Sequence, residues 1–374
     1  MRAVCEADRL VALEAAESAP EHLWVAPALV DLQINGYAGV DFQQDNLPLD
    51  QLLQAARRLH ADGCARWLLT LMTDEWPRLL ARLRHLRALR TSSPELRESL
   101  AGWHFEGPFL SPELGFHGAH DPAFMLDPTP AHLGELRELT GTDPVLLTLA
   151  PERRGGIEAI ELAVRLGFKV SLGHTNASLE TLRAASAAGA AAFTHLGNGC
   201  PRELDRHDNI LWRVLEIVGN RFHPARGVAK ESSVGLNISL IPDGIHVSPL
   251  LFRLLHRWLD PAALCYTTDA MAAASAVPGR YTLGRLQPEV GPDQIVRQPG
   301  QSNYAGSALR PVEGVFRASQ MLGCSWQETW RRFSEAPARL MGWNHALRSG
   351  NLAPVCILEV ASDGSLKNLD TMLA

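Results

Sequence analysis

The sequence lacks the features that mark several classes of protein. No run of about 20 apolar residues, the length that crosses a bilayer, occurs among its 374 residues, and the first residues do not form a basic segment followed by an apolar one. Lysine and arginine form no dense run and the formal net charge is only −6, so neither nucleic acid nor a membrane is an expected partner. We expect a cytoplasmic protein that binds a small molecule.

Cysteine is sparse and scattered. The six cysteines stand at positions 5, 64, 200, 265, 324 and 356, and no two of them form the Cys-x-x-Cys spacing of a zinc ribbon or a redox pair. Because this pattern also provides no disulfide framework, we expect reduced, buried thiols.

Apolar residues are plentiful, at 46% of the chain against 20% charged residues, which is enough for a large core. Short apolar segments alternate with longer segments of helical periodicity, a pattern typical of βα units. Strands are predicted at 28–34, 66–72, 100–105, 145–149, 168–172, 191–194, 235–241 and 264–268. Helices are predicted between them at 49–62, 76–90, 156–166, 178–189 and 248–259. Eight such strands predict an α/β fold, a closed (β/α)₈ TIM-type barrel.

The two chain ends are short and strand-like. We assign residues 28–342 to the barrel and expect residues 1–27 and 343–374 to pair into a small β cap beside it. Residues 278–306 are rich in proline and glycine and predict a hairpin before the last helix.

Polar residues stand where the predicted strands end, which is where barrel enzymes carry their catalytic groups: Gln33, Asn35, Glu106, His174, His195, His246 and Asp269. Glu106, His174 and His195 together predict a site for one divalent ion, with zinc favoured and one coordination position left open. Each residue alone has a simpler explanation, since a buried histidine can bond a core carbonyl and a glutamate can pair with an arginine.

Asp269 follows the last predicted barrel strand and would face the metal from the opposite wall. A carboxylate there can act as a general base on a metal-activated water. An aspartate before Ala270 and Met271 can equally cap a turn, and the sequence alone leaves both interpretations open.

Eight ordered motifs also resemble a known family, the N-acetylglucosamine-6-phosphate deacetylases of the amidohydrolase superfamily. They lie at residues 28–36, 104–109, 118–122, 172–177, 194–196, 243–247, 268–271 and 305–309. The resemblance implies hydrolysis of N-acetyl-D-glucosamine 6-phosphate to glucosamine 6-phosphate and acetate, and a homodimer. It also implies that Glu106, His174 and His195 bind the metal, that Asp269 moves the proton, and that His120 orients or polarises the acetyl carbonyl.

The substrate contacts implied by the resemblance are Ala119, His120, Asn198, Gly199, Arg206, His246, Tyr304, Ala305 and Gly306. Two of these assignments have alternatives. His117 stands close to His120 in the chain, although the motif favours His120. Arg206 lies in the polar run 202–208, where a solvated charge cluster is the ordinary interpretation.

The chain departs from its relatives in three places. Gln33 and Asn35 replace the His-x-His pair that often holds a second metal, so one metal is expected, because amides are weaker ligands than imidazoles. Gly197 and Gly199 replace larger side chains beside His195, which predicts a wider pocket. Only 27 residues precede the first barrel strand, which predicts a trimmed cap. Two alternatives therefore stay open: an amidohydrolase acting on another N-acyl sugar or amino acid, and a sugar-phosphate binding protein without activity.

Overall fold

The computed structural model describes residues 2–6, 9–14, 18, 20–218, 235–299, 304–345, 347 and 353–373. The strands that precede residue 100 are β1 (Arg2–Glu6), β2 (Arg9–Glu14), β3 (Leu23–Pro27), β4 (Leu29–Ile34), β5 (Gly36–Tyr37), β6 (Val40–Asp41) and β7 (Cys64–Met72). The later strands are β8 (Leu100–Glu106), β9 (Val145–Leu149), β10 (Lys169–Leu172), β11 (Ala192–Phe193), β12 (Asn237–Leu240), β13 (Leu264–Tyr266), β14 (Gly279–Arg280), β15 (Glu289–Val290), β16 (Val296–Arg297), β17 (Val355–Val360) and β18 (Leu366–Met372).

The helices are α1 (Leu49–Ala61), α2 (Trp76–Ser92), α3 (Pro94–Ser99), α4 (Pro130–Thr140), α5 (Gly156–Arg165), α6 (Leu179–Ala187), α7 (Ile210–Val218), α8 (Pro249–Trp258), α9 (Pro311–Leu322), α10 (Trp326–Phe333) and α11 (Glu335–Met341). Several begin with a proline in the first turn after a serine or threonine cap. Thr129 caps α4, for example, and Ser248 caps α8. Proline suits that position because the first helical N–H groups have no intrahelical acceptor. Among the described residues, no helix is long and apolar enough to cross a membrane.

The central sheet has eight parallel strands in the order β4-β7-β8-β9-β10-β11-β12-β13. This order follows the chain, so each connection carries a helix and returns to the neighbouring strand. The two edges approach each other where Ile34 bridges Ala270 and the Asn35 N–H donates to the Ala270 carbonyl at 2.7 Å. All six residues of β4 are buried, as expected for a parallel strand covered on both faces. The predicted (β/α)₈ barrel is confirmed.

The barrel strands and the five predicted helices begin and end within two residues of the predicted positions. No sequence prediction covers α4 or α7, which complete the ring of connections after β8 and β11. The segment predicted as a hairpin forms the three-stranded antiparallel sheet β14-β15-β16, and α9 follows it.

The two chain ends share a sheet outside the barrel. Strand β3 pairs antiparallel with β17, which also pairs with β18. Strands β1 and β2 pair with each other, and the Leu10 N–H donates to the Leu373 carbonyl at 2.8 Å. Among the described residues, three strands therefore precede the barrel, and the trimmed cap stays a prediction. The division into a barrel domain and a cap domain remains a prediction.

Candidate active site

The residues singled out at the strand ends meet at one end of the barrel. Glu106 is the last residue of β8, and His174, His195 and Asp269 follow β10, β11 and β13 by two or three residues. His174, His195 and Asp269 have φ angles of 50°, 32° and 51°. These angles lie in the left-handed region, which costs a residue with a side chain about 1 kcal/mol or more. Strained backbone of this kind is common at functional sites, because it aims side chains that regular strand geometry would not.

Glu106, His174 and His195 form a compact set of donor atoms. One donor atom from each lies within 4.8 Å of the other two, and all three side chains are buried. The Nε2 atoms of His195 and His174 lie 2.8 Å and 3.3 Å from the same carboxylate oxygen, Glu106 Oε1. Two imidazoles and one carboxylate with an open side are the donor set of a catalytic zinc site, so these residues fit a divalent ion.

The surroundings of Glu106 argue against the simpler interpretations. Among the described residues, its ion-pair partners are histidines and none is an arginine or lysine. His174 does bond a backbone carbonyl, that of Phe116 at 2.8 Å, but it does so through Nδ1 and leaves Nε2 for the site. A ligating histidine usually has such a carbonyl partner on its other nitrogen.

The electrostatics favour an ionised glutamate. Burial raises the pKa of the Glu106 carboxyl, but the contacts from the three surrounding histidines outweigh burial and hold this pKa well below its ordinary value. A buried carboxylate that stays charged needs a compensating cation. The donor set and the charge therefore lead to the same interpretation.

Asp269 is held by two amide side chains. Its Oδ1 accepts hydrogen bonds from Asn35 Nδ2 at 2.7 Å and from Gln33 Nε2 at 3.0 Å. No described backbone N–H of the following turn donates to this carboxylate, since the Ala270 N–H donates to Thr268 Oγ1 instead, so the geometry does not support a capping role. Burial and the charge on Glu106 raise the pKa of Asp269 well above its ordinary value.

A cavity of about 340 Å³ opens above these residues. Its wall includes most of the residues predicted for the site: Glu106, Ala119, His120, His174, His195, Asn198, Gly199, His246, Asp269, Tyr304 and Gly306. Ala305 is fully buried and does not line the cavity, although both of its neighbours do. Arg206 is exposed and is also absent from the wall.

His120 and His117 differ in their position relative to the cavity. His120 is buried and lines the cavity, with its Nε2 3.6 Å from Glu106 Oε2. His117 does not line the cavity, and its Nδ1 lies 3.1 Å from the His120 carbonyl. The geometry therefore favours His120 for contact with a substrate.

Sequence reasoning missed several residues of the site. Arg202 lines the cavity although Arg206 was predicted, and Met72 and Leu283 form apolar parts of the wall. Thr73 orients His120 through a bond between its Oγ1 and Nδ1 of 2.9 Å. Thr73 follows β7 directly, so a systematic reading of every strand end could have found it.

A carboxylate, two imidazoles and a facing aspartate at the carboxyl end of a barrel define a hydrolase of the amidohydrolase class. No family model matches the chain. An N-acetylglucosamine-6-phosphate deacetylase of Danio rerio is 30% identical over 357 residues, which cover 94% of this chain and 82% of the relative. The chain therefore belongs to the N-acetylglucosamine-6-phosphate deacetylase family.

A solved structure and a further relative add to this comparison. An aspartate-to-alanine variant of the Mycobacterium smegmatis N-acetyl-D-glucosamine-6-phosphate deacetylase, in complex with N-acetyl-D-glucosamine-6-phosphate, superposes with a TM-score of 0.83 at 27% identity, and the match covers 99% of this chain and 94% of the other. An N-acetylgalactosamine-6-phosphate deacetylase of Escherichia coli O157:H7 is 29% identical over 330 residues, which cover 88% of this chain and 81% of the relative.

Proposed function

We propose that the protein hydrolyses the acetamide of N-acetyl-D-glucosamine 6-phosphate to D-glucosamine 6-phosphate and acetate. One observation carries the proposal beyond family membership. Glu106, His174, His195 and Asp269 converge on a single cavity whose size suits a small molecule. A three-donor set and a separate carboxylate are the parts that metal-assisted amide hydrolysis requires.

In the proposed mechanism, Asp269 carries the proton. When bound by Glu106, His174 and His195, a divalent ion, which we propose to be a single zinc, polarises the acetamide carbonyl and acidifies the attacking water. Asp269 takes the proton from the water and returns it to the leaving amine. The amides of Gln33 and Asn35 hold its Oδ1, so the other carboxylate oxygen remains to exchange the proton. Burial and the charge on Glu106 raise the pKa of Asp269, which makes its carboxylate a stronger base for the proton of the water.

His120 is proposed to orient the acetyl carbonyl. The Thr73 N–H donates a hydrogen bond to His120 Nδ1, with 3.4 Å between the two nitrogens. Because Nδ1 accepts this bond, the ring proton stands on Nε2, on the side of Glu106. Burial lowers the pKa of His120, which favours the neutral imidazole. A neutral Nε2–H can donate to the carbonyl oxygen of a bound substrate.

The remaining cavity wall is proposed to hold the sugar phosphate. His246 is fixed by Asp243, whose Oδ2 lies 2.6 Å from His246 Nδ1, so its Nε2 is left for the substrate. Ala119, Asn198, Gly199, Tyr304 and Gly306 are proposed as the other contacts because they line the same cavity. Ala305 and Arg206 do not line the cavity, so the structure does not support the substrate contacts predicted for them.

The second candidate substrate is another acetamido sugar phosphate, in particular the galactosamine epimer. Gly197 and Gly199 leave part of the cavity wall without side chains, and one relative carries the name of the N-acetylgalactosamine-6-phosphate enzyme. The finer expectations of a homodimer and of a cytoplasmic location also remain proposals.

Acetate release by the purified protein tests the proposal. The metal content is measured first, and release is followed from N-acetylglucosamine 6-phosphate, its galactosamine epimer and unphosphorylated N-acetylglucosamine, before and after chelation and zinc restoration. Fast metal-dependent release from the first substrate, with about one ion per chain, is expected. Faster release from the epimer would establish the second candidate, and a loaded metal site with no release from any of the three would refute both.

A further inference from the structure

We propose that Gly118 and the backbone carbonyl of Phe116 are positioning groups for His174, which fix the place and the tautomer of its ring. This inference rests on the metal-binding role proposed for His174. Both groups lie in the loop after β8 that also carries His120, outside the donor set itself.

The Phe116 carbonyl sets the tautomer. It lies 2.8 Å from His174 Nδ1, and a carbonyl oxygen can only accept, so the ring proton must stand on Nδ1. In the neutral ring the lone pair is then on Nε2, the nitrogen that lies 3.3 Å from Glu106 Oε1 and that a metal ion would bind. The loop is also bonded at a second point, since the Ser111 N–H donates to the His174 carbonyl at 3.0 Å.

Gly118 sets the place of the ring. Its φ is +59°, and a Cβ added there would lie 2.8 Å from His174 Cε1 and 3.2 Å from Nδ1. The first distance is shorter than carbon atoms tolerate, so either the ring or the loop backbone would have to shift. Only glycine lets the loop backbone lie directly against the imidazole.

The ring has little room to yield. Its neighbours are the rings of His120 and His195, with centroids 4.7 Å and 5.0 Å away. A Cβ at Gly199 would lie 2.9 Å from His174 Nδ1, so backbone also packs against the ring there. Moving the ring would therefore displace Nε2 from Glu106 or lengthen the bond to Phe116, and either change disturbs the donor set. We confine the inference to Gly118, which lies two residues from Phe116 in the loop after β8.

Gly197 provides a matched control for the substitution. Its φ of +100° is also in the left-handed region, but an added Cβ would meet only apolar side chains at ordinary contact distances, Val247 at 3.4 Å and Leu251 at 4.0 Å. Alanine at either glycine strains the backbone, whereas alanine at Gly118 alone presses on a proposed metal ligand.

The test measures metal affinity by competition with a chelator for the wild type, Gly118→Ala and Gly197→Ala, with the melting temperature of each metal-free protein as a measure of folding. Gly118→Ala is expected to weaken zinc binding roughly tenfold or more, the usual effect of losing an outer partner of a ligand, and to change the visible spectrum of the cobalt-substituted protein. Gly197→Ala is expected to lower the melting temperature while its metal affinity stays within about threefold of the wild type. Equal affinities in the two variants would overturn the role of Gly118.

A measurement on the wild type keeps the inference testable if Gly118→Ala fails to fold. In ¹⁵N-histidine-labelled metal-free protein, with the His174→Gln variant identifying the signal, the neutral ring should carry its proton on Nδ1. A proton on Nε2 would overturn the role of the Phe116 carbonyl. The proposed function fails separately, since in that case the wild type itself would bind no metal or release no acetate.

Discussion

Asp269→Asn tests the proposed mechanism by removing the acid/base group while changing little else. The retained amide oxygen can still accept from Gln33 and Asn35, which lie 3.0 Å and 2.7 Å away, and the side-chain volume is nearly unchanged. An amide cannot shuttle a proton, so turnover should fall by roughly 10² to 10⁴-fold, the usual contribution of a general acid or base. Because burial and the charge on Glu106 disfavour an ionised Asp269, the neutral amide should not lower the melting temperature of the metal-free protein.

The assay combines kcat for acetate release, metal content per chain and the melting temperature, all for the same preparation. Asp260→Asn is the matched control, since Asp260 is exposed, caps the short turn at Pro261–Ala263 and does not line the cavity. Its kcat should equal that of the wild type. If Asp269→Asn keeps a full metal site and a kcat within about tenfold of the wild type, Asp269 is not the proton carrier.

Three further perturbations follow from the structure. Burial raises the pKa of Asp31 to about 6, against about 3.9 for an unfolded aspartate. The folded state therefore holds this proton more tightly, and the wild type should lose about 3 kcal/mol of stability from this group as pH rises from about 4 to about 6. The free energy of unfolding in urea, measured at pH 4 and pH 7, should therefore fall more for the wild type than for Asp31→Asn. An equal fall in the two proteins would contradict the raised pKa of Asp31. Chelation should abolish activity, and zinc at about 100 times its Kd should restore activity and stabilise the protein by about 2.7 kcal/mol, read as a higher melting temperature; an unchanged melting temperature would count against the metal site. His120→Ala should lower kcat/KM by roughly 10²-fold and His117→Ala by only a few-fold, and the reverse order would reassign the substrate contact to His117.

The barrel could be predicted because its signal is local and repeated. Each strand is a short apolar run before a polar residue, and each predicted helix has a continuous apolar face. The unpredicted helices had weaker signals. Helix α4 contains Gly134 and few apolar residues besides Leu133, Leu136 and Leu139, and α7 is a short, largely apolar run that periodicity alone does not distinguish from a strand.

The donor set could be predicted because barrel geometry brings all strand ends to one face. The contacts that orient it could not, since they depend on how loops fold over that face. The Phe116 carbonyl and His174 are 58 residues apart in the chain, and a backbone carbonyl leaves no mark in the sequence. Arg202 and Arg206 stand in the same polar run, and only the path of the loop after β11 decides that Arg202 lines the cavity.

Gln33 and Asn35, which depart from the family pattern, hydrogen-bond the carboxylates of the site. From the sequence they indicate only that a second metal lacks its imidazole ligands. In the structure, Gln33 Nε2 lies 2.9 Å from Glu106 Oε1 and 3.0 Å from Asp269 Oδ1, so a neutral donor stands between the two carboxylates. Two buried carboxylates that close repel each other, and here an amide hydrogen-bonds both without adding charge. Burial and the remaining repulsion from Glu106 raise the pKa of Asp269, which makes its carboxylate the more basic group, as the proposed proton carrier requires.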